Sequence, residues 1–213
     1  MECTLRSSRS RADETPSHGA SEAAGPAPER APRRAIMCAV TWLRDAVGAA
    51  ALLAVVMTLG DVIWAALDLP HLRTYGVAHG AIMCLVFGLV IGWRAGRLSA
   101  GAIAGPIIGV VAALAFYALA GPLRYVALLP AWMSFWIMFA FLQQWLSRTE
   151  SPGITALRSV VSAVLSGLAF VAISGIWTRS SPGYHVNLAS WFVAFLPGFV
   201  PLFFRHPPHR RRN

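Results

Sequence analysis

The chain has 213 residues, 56% of them hydrophobic and only 13% charged, with a mean hydropathy of +0.58. A soluble domain of this size carries about twice that share of charge, so the composition disfavours a soluble enzyme or binding module and favours a membrane protein. The net charge of +9 rests on arginine alone, placed in tails and short loops, which suits membrane orientation and gives no footing for nucleic acid.

Residues 1–34 are rich in Ser, Pro, Ala, Arg and Glu and hold almost no large apolar side chain. They bury too little surface to offset the entropy of ordering, so this stretch reads as a disordered cytoplasmic tail. It is not a signal peptide, because the apolar run that follows comes too late and lasts too long. Cys3, Cys38 and Cys84 form no CxxC pair and imply no disulfide framework.

Residues 35–204 contain six apolar segments, at roughly 46–68, 72–93, 101–121, 126–146, 157–177 and 187–204. Each is close to the ~20 residues that a helix needs to cross ~30 Å of hydrocarbon. The expected fold is an all-α integral membrane protein, a bundle of six transmembrane helices. The first segment extends back toward Ala35 as a helix along the inner interface. The sixth carries Pro197 and Pro201 and is expected to kink, its freed backbone groups being satisfied by neighbouring helices. Residues 205–213, "RHPPHRRRN", form a basic cytoplasmic tail beside anionic headgroups.

The arginines give the orientation. One face collects Arg30, Arg33, Arg34, Arg44, Arg94, Arg97, Arg148, Arg158 and the C-terminal arginines, and the other only Arg73, Arg124 and Arg179. The positive-inside rule then places both termini in the cytoplasm and the chain in the inner, cytoplasmic membrane. Five or seven spans would break the alternation.

Small residues indicate where helices approach. Gly101, Gly105 and Gly109 stand four apart, as do Ser159, Ala163 and Gly167. Such rows drive association in lipid, where packing replaces water exclusion. The glycine row fits contacts within the bundle, and it is also a candidate face for a homo-oligomer or a membrane-protein partner.

The first two segments hold the most unusual residues. Asp61 lies nine positions before Pro70 and His79 nine after it. In an antiparallel hairpin the two share a depth, ~13 Å below the turn at 1.5 Å per residue. A lone charge near the bilayer centre costs ~2.5–3.5 kcal/mol, so the two are expected to point inward and interact, directly or through one water. Such a pair is either a functional site or a clamp for the hairpin. Asp68, His71, Arg73 and Tyr75 form a polar collar nearer the outer surface, which His185 in the last outer loop can join. For these residues a solvated loop is the plain alternative.

Asp61, Asp68, His71, His79 and His185 are metal-ligand types without metal-ligand spacing. Asp61 and His71 are expected ~15 Å apart in depth, so no metal site or other cofactor is assigned. Trp93, Trp145 and Trp177 fall near segment ends like an aromatic belt, and Gln143 and Gln144 close the fourth helix. Trp132, Phe135, Trp136 and Phe139 make a stripe that either packs the bundle or stacks on an apolar ligand.

No Walker loop, GxSxG elbow, GxGxxG turn or CxxCH motif occurs. That weighs against an ATPase or a standard serine hydrolase. Three functions stay open. One is a carrier or permeation protein for a small solute or ion, with Asp61 and His79 as its responsive pair. Another is a non-catalytic partner or scaffold. The last is a membrane-embedded enzyme acting on a metal, quinone or lipid, which would need a third polar group such as Tyr117, Arg124 or His185.

Overall fold

The computed structural model describes residues 30–67, 73–148, 150–177 and 183–204. Over these residues the protein is all-helical. Its helices are α1 (Arg30–Leu67), α2 (Arg73–Arg94), α3 (Leu98–Leu123), α4 (Leu128–Ser147), α5 (Pro152–Trp177) and α6 (Tyr184–Phe203). A 3-10 turn at Arg124–Ala127 leads into α4.

Five windows are long and apolar enough to cross a membrane: Val40–Ala66, Thr74–Arg94, Leu98–Leu123, Pro152–Ile173 and Tyr184–Phe203. The fold is that of a polytopic membrane protein. Helix α4 is the remaining one, its aliphatic character diluted by Trp132, Trp136, Trp145 and two glutamines.

The helices follow the expected segments and differ at their ends. Helix α1 begins at Arg30, inside the expected tail, and runs unbroken through the stretch from Ala35. Helix α6 continues through Pro197 and Pro201. One turn of it is braced from outside, since Ser166 Oγ donates to the Ala194 carbonyl at 2.6 Å. Residues 1–29 and 205–213 lie outside the described residues, as do Asp68 and His71.

Helices α2 and α3 pack backbone to backbone. Gly101 faces Gly88, Gly105 faces the Cys84 carbonyl and Gly109 faces the Gly80 carbonyl, leaving no room for a Cβ at any of the three. The row offered by the sequence to a second copy or another partner is thus occupied within the chain, because two glycine-lined backbones maximise dispersion contact. The opposite face of α3, with Ile103, Ile107, Val111 and Leu114, is exposed.

An aromatic core joins α2, α4, α5 and α6. The ring of Phe87 lies 4.0 Å from Phe139, 4.7 Å from Phe199 and 5.1 Å from Trp136, centroid to centroid. Trp132 stacks on Phe170 at 4.4 Å, and its Nε1 donates to Ser166 Oγ at 2.9 Å. Gly198 lies under Trp136, where a Cβ would strike the indole. The stripe on α4 is therefore buried among other aromatic side chains, as the packing reading requires.

Helix α1 packs chiefly on α6 rather than on α2. The other consecutive helices pack on one another, and the first and last close the bundle. At one end of it Trp42 meets Phe204 edge-on at 5.2 Å, so the described ends of α1 and α6 lie together. The same end holds Asp45 paired with Arg94, whose guanidinium lies 4.0 Å from the Phe203 ring centroid. Glu150 and Arg158 pair there too, and Arg44, Arg97 and Arg148 are exposed beside them.

The α2–α3 contact predicts a contrast between glycines. Gly105→Ala should lower stability by about 1–3 kcal/mol through overpacking. Gly48→Ala, at a site with nothing within 4 Å, should cost nothing. Thermal unfolding of both variants in detergent would check this.

Candidate functional site

The site is built on Asp61, which is half-buried near the end of α1 away from the arginines. Its donors come from the first two turns of α6. Asn187 Nδ2 donates to Asp61 Oδ2 at 2.8 Å, and Trp191 Nε1 donates to the same oxygen at 2.9 Å. The two donors stand four residues apart, so one face of α6 presents both. Asn187 is buried, and its own backbone N–H bonds the Gly183 carbonyl at 3.1 Å, inside the first helical turn.

His79 sits beside this group on α2. Its ring lies against the α1 backbone at Gly60, where an added Cβ would stand 3.2 Å from His79 Cε1. The Nδ1 atom is 3.4 Å from Tyr75 OH, one turn earlier on the same helix. Tyr75 in turn stacks on Trp64 of α1, ring centroids 3.4 Å apart. Tyr117 of α3 completes the wall, its hydroxyl resting on Gly76 where no side chain would fit.

Asp61 and His79 thus share a neighbourhood through Gly60, but each has its own hydrogen-bond partner. The carboxylate turns to α6 and the imidazole turns to Tyr75. Of the collar residues, Tyr75 joins the cluster and His185 is exposed on the first turn of α6. Arg73 opens α2, while its side chain, like Asp68 and His71, lies outside the described residues. Among the described residues no three of His, Cys, Asp and Glu gather as metal ligands would.

Comparison with protein-family models, with curated proteins and with solved structures finds no match for this chain. What the site does has to be argued from its own chemistry.

Both donors to Asp61 are neutral. Hydrogen bonds to an ionised acceptor are about twice as strong as neutral ones, and a water-poor setting strengthens them further. The carbonyl oxygen of a protonated carboxyl can also accept from both donors. The site therefore holds its geometry in either protonation state. Trp64 Nε1, three residues along α1 from Asp61, is buried without a partner, which leaves one more donor at the edge of the cluster.

Sequence reasoning missed Asn187, Trp191 and Trp64. A signal was present: Asn187 is one of only two asparagines in the chain, set in an apolar segment one turn before a tryptophan. An amide and an indole N–H at that spacing are a matched answer to a carboxylate on another helix.

The donor arrangement orders the variants of Asp61. Asp61→Asn keeps an acceptor for Asn187 and Trp191, whereas Asp61→Leu strands both donors. The leucine variant should lose about 1–3 kcal/mol more stability than the asparagine variant. Melting of the two purified proteins, followed by circular dichroism, would establish the order.

Proposed function

We propose that the protein is a carrier or permeation protein for protons or another small cation, with Asp61 as the group that binds them. The reading is supported by one observation above others. A carboxylate inside an apolar span is held only by neutral donors, and no arginine approaches it among the described residues. A fixed charge in such surroundings is costly unless something balances it. With no guanidinium beside it among the described residues, this reading takes the counter-charge to be mobile: a proton or a small cation. His79, at the same level beside Gly60, is the natural second station, an imidazole able to exchange a proton with a carboxylate through one water.

The topology proposed with this reading has six spans, α4 included, with both termini in the cytoplasm and the chain in the inner membrane. It is supported by the direction of the helices and the arginines. On the arginine-rich side Arg94 ends α2, Arg97 precedes α3, Arg148 follows α4, and Arg44 and Arg158 lie within α1 and α5, as the positive-inside rule asks of the cytoplasmic face.

A partner role is the second reading, favoured by α3. Its outer face is unusually bare, with Ile103 67% and Ile107 58% exposed, and suits another membrane helix as well as lipid.

Reconstitution separates the two. Liposomes holding the full chain and a trapped pH dye, driven by a potassium diffusion potential, should acidify faster than empty liposomes. Asp61→Asn should return the rate to the empty-liposome level, and His79→Gln should lower it in part. Equal rates for wild type and Asp61→Asn would overturn the carrier reading.

A further inference from the structure

At the arginine-rich end, α4, α5 and α6 leave a shallow open cleft, lined in part by Gln143, Gln144, Ser147, Glu150 and Arg158. Its floor is apolar, formed by Ala140 and Leu202. The innermost part has room for little more than one oxygen-sized atom.

Two polar groups there lack partners. Arg158 is only 9% exposed; its Nη1 pairs with Glu150, and its guanidinium lies 5.9 Å from the Phe204 ring centroid. The other terminal nitrogen, Nη2, is buried with no hydrogen-bond acceptor. Gln143 has the opposite need. Its Nε2 donates to the Leu202 carbonyl at 3.2 Å, while Oε1 is buried with no donor. Unmet buried groups of this kind call for a ligand or a water.

We propose that this cleft binds the headgroup of an anionic phospholipid that carries a hydroxyl, the chemistry of phosphatidylglycerol. Small shifts of the two side chains that expose these atoms let a phosphate oxygen accept from Arg158 Nη2 and the headgroup hydroxyl donate to Gln143 Oε1. A phosphodiester alone has no donor for Gln143. A choline headgroup has neither a donor nor net charge.

Location and charge favour a lipid source over a free phosphate. Trp145, Ile154 and Leu157 are each the sequence neighbour of a lining residue, and all are exposed and apolar, as acyl chains require. The described arginines at this end, Arg44, Arg94, Arg97, Arg148 and Arg158, outnumber Asp45 and Glu150. Glu150 does not defeat an anion, because its carboxylate is already paired with Arg158. The site is separate from Asp61 and requires only that the chain lies in a membrane.

Native mass spectrometry of the detergent-released full chain tests this, with phosphatidylglycerol or phosphatidylcholine of identical acyl chains added. The glycerol lipid should be retained about five-fold more, the weight of one arginine at a charged surface. Glu150→Gln frees Nη1 and should strengthen that retention, where a merely structural ion pair would only lose stability. Glu150→Gln with Arg158→Gln removes both charges and should abolish the preference. Equal retention of the two lipids, or a preference untouched by the double variant, would overturn the proposal. So would displacement of the lipid by soluble glycerol phosphate, which would show that the acyl chains are not needed. If the double variant does not fold by circular dichroism, the single variant decides: weaker or unchanged retention counts against the site.

Discussion

A carboxylate on a helix among acyl chains must find its donors on another helix, and Asp61 finds them on α6. Asn187 and Trp191 both reach Oδ2, so the first and last helices are joined by hydrogen bonds that water cannot easily replace. The rest of the arrangement follows from that join. With α6 drawn against α1, helices α2 and α3 are left to pack on each other, and α4 fills the space between both groups. His79 then meets α1 at Gly60, where the missing side chain leaves room for its ring.

Away from this polar contact the bundle is held by shape. Hydrocarbon offers helices no water to exclude, so they must fit one another better than they fit lipid. Two devices provide the fit. On α2 and α3, glycines bring backbones together until a single methyl group would not pass. Around Phe87, large rings interlock, and the glycine at 198 makes the space that Trp136 fills. The Ser166 hydroxyl beside Trp132 is fully used, accepting from Trp132 and donating to Ala194.

The two ends of the bundle differ in how they treat charge. At the arginine-rich end, Arg94 and Arg158 each pair with a carboxylate and lie over neighbouring rings, Phe203 and Phe204. A guanidinium suits this position because it bonds in its plane and stacks on its face. The two pairs tie α2 to α1 and α5 to the segment before it, which fixes helix ends rather than helix middles. Toward the other end the single described acid, Asp61, meets neutral donors, and no cation pairs with it among the described residues.

Much of the architecture was legible in the sequence. Six apolar segments gave six helices among the described residues, five of them long and apolar enough to cross a membrane. The rows at Gly101 and Ser159 marked contact faces for a similarly local reason, since close approach needs small side chains at helical spacing. Asp61 and His79 stood out as polar residues in apolar runs, and their common level followed from counting residues about Pro70. Which helix would answer Asp61 was not legible. Hairpin counting can pair only neighbours in the chain, whereas Asn187 and Trp191 lie more than a hundred residues on. Their role depends on α6 closing against α1, which is a consequence of how all six helices pack together. Local rules fixed the helices and their levels; the partners of the buried acid were decided only when the bundle closed, because a hydrogen bond between distant segments exists only in the assembled fold.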